Sequence, residues 1–151
     1  TGEVPFLAMQ YLHGESLQQR LQKSAPLPVG VALTVARDSA AGLAAAHARG
    51  MIHRDIKPAN LWLDTDKPDG PFRRVKILDF GLARPDDRDT RLTASGVIVG
   101  TPHYMAPEQA SGEKVDARAD LFSLGCVMYA MLVGELAFDG PNTMAVLMAL
   151  A

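Results

Sequence analysis

Apolar residues in this chain cluster in short runs and in longer stretches with helical spacing. The first run, Phe6-Leu7-Ala8-Met9-Gln10-Tyr11-Leu12, is nearly all apolar and predicts a strand covered on both faces. Gly14 marks a break, and Glu15 to Lys23 predicts a short helix, with Leu17 and Leu21 one turn apart. Pro26 and Pro28 punctuate. An Ala-rich stretch from about Val29 to Arg49 predicts a long helix, with Gly50 placed as its C-terminal stop. Asn60 to Leu63 and Val75 to Leu78 predict two strands. The turn-rich Lys67-Pro68-Asp69-Gly70-Pro71 between them makes the pair a hairpin with a long loop. Asp79 to Met105 shows little periodicity, and a loop that long in a compact domain is usually functional. Asp116 to Val133 is apolar almost all round and predicts a helix at a domain centre. Pro141 to Ala151 predicts one more helix. The expected class is α+β, mainly helical, with one short hairpin.

Composition narrows the function classes. With 151 residues, 48% of them hydrophobic, the chain is sized for one domain with a real core. Fifteen Lys and Arg against seventeen Asp and Glu leave a net charge of −2, which argues against a nucleic-acid footprint. The single Cys126 excludes an internal disulfide and, in its apolar run, is expected to be a buried, inert thiol. A reducing, cytoplasmic setting is compatible with that. The longest apolar run, Leu121 to Val133, is broken by Ser123 and Gly125 and falls short of the roughly 20 residues a spanning helix needs. No membrane segment is therefore expected within this chain, and an anchor elsewhere in a longer protein stays open.

Candidate chemistry concentrates in His53-Arg54-Asp55-Ile56-Lys57-Pro58-Ala59-Asn60 and in Asp79-Phe80-Gly81. Asp55 supplies a carboxylate that can orient a hydroxyl, and Lys57 a cation for a phosphate. Asn60 and Asp79 supply an amide and a carboxylate oxygen for a hard cation. Phosphoryl transfer needs such groups, because its transition state is helped mainly by positioning and charge neutralisation. Lys57 follows Asp55 by two, which in extended backbone puts both on one side. Asn60 and Asp79 flank the hairpin, so its closure can bring them together. Mg²⁺ takes one or two protein oxygens and completes its shell from phosphates and water. No His/Cys cluster has transition-metal spacing. Taken singly, Asp55 reads as a surface aspartate after a helix and Lys57 as a solvated lysine. Their joint spacing with Asn60 and Asp79 outweighs that.

With Gly100-Thr101-Pro102-His103-Tyr104-Met105-Ala106-Pro107-Glu108 downstream, the pattern resembles a bacterial eukaryotic-like serine/threonine protein kinase over nearly the whole chain. The resemblance implies the larger, mainly helical lobe of the kinase fold. Residues 1–14 would be the last small-lobe strand and the hinge, and 15–151 a partial C-terminal lobe. The cofactors implied are ATP and Mg²⁺, with Mn²⁺ as an alternative, and the partner is a protein with a serine or threonine acceptor. Dimerisation for autophosphorylation is a further option. By the same resemblance Asp55 is the catalytic base, Lys57 meets the γ-phosphate, and Thr101 bonds toward both. Asn60 and Asp79 hold the metal. Met9 is the gatekeeper, Gln10 and Leu12 lie along the adenine edge, and Glu15 sits near the ribose. Trp62 either floors the adenine pocket or points away into the core. Arg54 belongs to a cationic pocket for an activation-loop phosphate, on Thr93 or Ser95 in preference to Thr90. His53 packs beneath Phe80, and Gly81 permits the following turn. Glu108 lacks the distant arginine that pairs with it in the family. Asp120 holds backbone N–H groups around His53 and Arg54. His47 and His103 are expected to be structural or solvated.

The family's Gly-rich phosphate loop, strand lysine and helix glutamate are not found in this sequence. The chain is therefore expected to be a segment of a longer protein and inactive alone. A pseudokinase-like scaffold is the alternative, although such proteins typically lose residues of the Asp55 or Asp79 kind. A small-molecule kinase is disfavoured by residues 100–108, which those enzymes generally lack.

Overall fold

Local sequence sets the first elements of the computed structural model, which describes residues 9–67, 70–80 and 102–150. Ser16 caps the first helix, α1 (Leu17–Ser24), by accepting from the Gln19 N–H, while the Gln19 side chain accepts from the Ser16 N–H. This reciprocal pairing satisfies two of the donors that every helix start leaves unbonded. The strand β1 (His13–Ser16) feeds directly into it. The expected strand at Phe6–Leu12 does not extend through Met9–Leu12. Residues 6–8 lie outside the described residues, Met9–Leu12 form no strand, and pairing begins at His13. Gly14 lies inside β1 and is not a break. Its φ of +112° and its close approach to the neighbouring strand, where an added Cβ would fall 2.0 Å from the Leu63 carbonyl oxygen, require glycine.

The long helix α2 (Val29–His47) ends in a left-handed Gly50 with φ +73°. The Gly50 N–H returns to His47 and the Met51 N–H to Ala46. That is a Schellman closure, and it stops the helix two residues short of the expected Arg49. At 19 residues and a mean hydropathy of 1.2, α2 has the length and composition of a spanning helix. Here its buried Val35, Ala36 and Leu43 join the core, and it packs on the strand Phe72–Ile77 and the helix Ala117–Val133.

The hairpin follows as β2 (Leu61–Thr65) and β3 (Phe72–Ile77). The antiparallel sheet runs in the order β1-β2-β3, with Trp62 opposite Ser16 and Lys76, and an irregularity at Asp64/Thr65. Leu61 and Leu63 face the core together with Leu17, Val35, Leu43, Ile56, Val127 and Met131. A short turn of helix, α3 (Pro107–Ala110), precedes α4 (Ala117–Val133), which Asp116 caps and a left-handed Gly134 ends. The last helix is α5 (Thr143–Leu150). The class is α+β. Helix α4 is not covered all round by the described residues: Asp120, Leu124, Val127 and Met131 are buried, while Leu121, Tyr129, Leu132 and Val133 are exposed. Cys126 is buried, and burial pushes its thiol pKa up from the ordinary value, as expected of an unreactive cysteine.

Candidate active site

The segment between α2 and β2 is fixed by contacts from four directions. Arg54 takes a left-handed backbone with φ +66°, a conformation that persists in a non-glycine residue only when its surroundings impose it. Asp120, buried at the start of α4, imposes it. Its Oδ2 accepts the His53 N–H at 2.9 Å and its Oδ1 the Arg54 N–H at 2.7 Å. His47, on the last turn of α2, meets the same Oδ2 at 2.7 Å through Nε2. From α3, Gln109 donates through Nε2 to the Arg54 carbonyl at 2.8 Å. His53 is buried; its Nδ1 accepts the Asp55 N–H at 3.2 Å and its Nε2 meets the Leu78 carbonyl at 2.8 Å. An acceptor at one nitrogen and a carbonyl at the other leave room only for the neutral Nε2–H form. Its ring meets Phe80 edge to face at 4.8 Å.

Two candidate side chains converge on Asp55. The Lys57 ammonium lies 2.7 Å from Asp55 Oδ2. Asn60 Nδ2 donates to the Asp55 carbonyl at 2.8 Å and to Oδ2 at 3.1 Å. Both neighbours of that amide nitrogen are acceptors, so the amide orientation is determined and Asn60 Oδ1 is left without a partner among the described residues. Asp55 Oδ1 is likewise left to accept a bond. The carboxylate is half exposed, so a hydroxyl can reach it. Pro58–Asn60 forms a single helical turn that turns Asn60 back toward Asp55.

Asp79 arrives from the far end of the hairpin. The Leu78 N–H donates to the Asn60 carbonyl at 2.8 Å, which ties the residue before Asp79 to the residue beside Asp55. Asp79 is exposed and takes a left-handed φ of +60°. Among the described residues, no positive φ outside glycine occurs except at Arg54 and Asp79. No group of three or more His, Cys, Asp or Glu able to hold a metal occurs among the described residues. Asn60 Oδ1 and the Asp79 carboxylate would offer two oxygens to a hard cation. That suits Mg²⁺, which draws its remaining ligands from phosphate and water, and it does not suit a metal that needs a full protein cage.

At the other end, Met9 and Tyr11 are 77% and 82% exposed. Gln10 accepts from Lys76 Nζ at 3.0 Å. Leu12 is partly buried. Trp62 lies on the sheet face opposite Leu61 and Leu63 and donates from Nε1 to the His13 carbonyl at 2.9 Å. The Glu15 carboxylate is already engaged, by Arg20 at 2.6 Å and Lys23 at 2.7 Å. Its pKa is held below the ordinary value, chiefly by the Lys23 hydrogen bond, with Arg20 adding to the effect. Glu108 is partly buried and forms no ion pair among the described residues, so it does not bear the full cost of an unpaired buried carboxylate. Thr101, Gly81, Thr90, Thr93 and Ser95 lie outside the described residues. A cavity of about 200 Å³ is lined by Gln18, Leu21, Pro58, Tyr104 and Glu135 among others, but not by Asp55, Asn60 or Asp79.

Two residues of the site were not singled out from the sequence, His47 as a partner of Asp120 and Gln109. A glutamine at the third position of α3 is a helix-start signal that could have drawn attention to Gln109. Nothing local links His47 to a residue 73 positions away.

Comparison with known proteins shows the family of the chain. Residues 2–149 match the model of the protein kinase domain. The chain is 44% identical over 145 residues to serine/threonine-protein kinase Pkn1 of Myxococcus xanthus, covering 96% of this chain and 20% of that protein. It is 43% identical over 143 residues to pkn2 of the same organism, covering 93% and 17%. It is 38% identical over 145 residues to PknB of Mycobacterium leprae, covering 96% and 22%. The chain thus spans about a fifth of the length of the curated relatives it matches. With a family match from residue 2 to residue 149, the chain belongs to the protein kinase domain family.

Proposed function

We propose that the full-length protein carrying this chain transfers the γ-phosphoryl group of ATP to serine or threonine hydroxyls of a protein substrate. The observation that carries this is the Asp55 carboxylate, with one oxygen held by Lys57 and Asn60 and the other open. A carboxylate fixed in that way is pre-oriented to accept the proton of an attacking hydroxyl. Lys57 is placed to share its charge between Asp55 and an incoming phosphate. Asn60 Oδ1 and Asp79 would hold Mg²⁺, which when bound neutralises charge on the phosphates. The serine/threonine preference is supported by Lys57 and by the names of the relatives. Activation by a phosphate on Thr93 or Ser95, read through Arg54, belongs to the same proposal.

The test is phosphate incorporation by the full-length protein with Mg-ATP, followed by mass spectrometry of the acceptor. Asp55→Asn keeps the shape and the Oδ contact but removes the base. It is expected to lower kcat by about 10² to 10⁴ with little change in ATP binding. Equal turnover by both forms would remove Asp55 from the mechanism.

A further inference from the structure

The contact between Gln109 and Arg54 points to a role beyond capping a short helix. Gln109 uses both ends of its amide. Its Oε1 accepts the Ala106 N–H at 3.1 Å, and its Nε2 donates to the Arg54 carbonyl at 2.8 Å. Those partners, one donor and one acceptor, permit a single orientation of the amide. Ala106 has no side-chain oxygen with which to cap α3, so the first bond is half of a helix-start device. The second bond serves no purpose in α3. It crosses 55 positions of sequence to the residue before Asp55, at one of the two left-handed non-glycine positions among the described residues.

We propose that Gln109 is a positioning residue for Asp55, coupling residues 102–110 to the turn that presents the carboxylate. The inference rests on the phosphotransfer reading above. The Arg54 peptide is held at its N–H by Asp120 and at its carbonyl by Gln109. With both ends of one residue fixed, the direction in which the chain enters Asp55 is fixed too. Asp120 is anchored to α2 and α4 and sets the turn permanently. Gln109 directly follows Tyr104 to Glu108, which the kinase resemblance assigns to the floor of the protein-substrate groove. A displacement of residues 102–110 is therefore passed to the Asp55 backbone through one amide side chain.

The test separates the two bonds. In the full-length protein, Gln109→Glu keeps an acceptor for the Ala106 N–H but sets a carboxylate against the Arg54 carbonyl. Gln109→Met keeps the volume and loses both bonds. Both variants are expected to lower kcat about tenfold, the rate equivalent of roughly one hydrogen bond, with KM for ATP nearly unchanged. Faster amide hydrogen exchange at Arg54 and Asp55 should accompany the loss. A merely structural role would instead leave Gln109→Glu with wild-type kcat and exchange, and that result overturns the proposal. Should Gln109→Met fail to fold, Gln109→Glu alone decides. Asp55→Asn is assayed alongside. If it is inactive while the Gln109 variants match wild type, only this inference falls. If Asp55→Asn is itself fully active, the assignment of Asp55 falls and this inference with it, and if the wild type incorporates no phosphate, the phosphotransfer reading falls.

Discussion

The two ends of the candidate site are built differently. At the phosphate end, residues 53–60 are held by buried, long-range hydrogen bonds: Asp120 reaches back 66 and 67 positions, and Gln109 reaches 55. At the base end, Met9 and Tyr11 stand exposed, and the anchors are the pairing of β1 with β2 and the Trp62 bond to His13. Chemistry needs sub-ångström placement of a carboxylate, and only contacts from several elements at once supply that. Under the proposed function, a planar base would need only an apolar surface and an edge of backbone, which one strand and one indole could offer.

The largest effect should come from the phosphate end. Asp120→Ala leaves the His53 and Arg54 N–H groups and His47 without their acceptor inside the protein. A cost of about 3–5 kcal/mol is expected, read as a lower urea midpoint and lost turnover. A loss below about 1 kcal/mol would mean that the turn is set locally by its own residues, not by α4.

Gly14→Ala probes the other end. An added methyl would sit 2.0 Å from the Leu63 carbonyl oxygen on a backbone with φ +112°. Destabilisation of more than about 1 kcal/mol is expected, together with a rise in KM for ATP that exceeds any fall in kcat. An equal fall in kcat would show that the two ends are not independent.

The smallest effect concerns Glu15. Its side chain is mostly covered, but by its long partners Arg20 and Lys23, and Lys23 is itself well exposed, so screening limits the gain. Glu15→Gln should cost under about 1 kcal/mol at pH 7. Because the folded carboxyl is depressed, its stabilisation is fully present above the ordinary glutamate pKa of about 4.3. It is lost as the pH falls through the lower folded value. The difference in melting temperature between wild type and variant should therefore close on acidification, and a difference that grew would reverse the sign of the linkage.

The elements legible in the sequence were those whose signals are local. Leu17 and Leu21 one turn apart marked α1, Gly50 marked the end of α2, and the turn-rich stretch around Gly70 marked the hairpin. Apolar character misled at residues 9–12, because an apolar run does not say which residues find a strand partner. His13 to Ser16, three polar residues and a glycine, pair with β2 instead. Helix α4 was read as apolar all round, which composition supports. Which of its faces is covered depends on α2 and on residues far away in the chain.

By itself the sequence determined the chemical inventory, Asp55, Lys57, Asn60 and Asp79, because the identities of the groups and their short spacings are properties of the chain. Tertiary structure alone decided that Asp55 holds one oxygen toward Lys57 and Asn60, that His53 is locked in one tautomer, and that His47 and Gln109 join the site. Those outcomes depend on hydrogen bonds between residues more than 20 positions apart, or on a turn they hold in place. Spacing along the chain does not encode such bonds; packing of α2, α3 and α4 around one strained turn creates them.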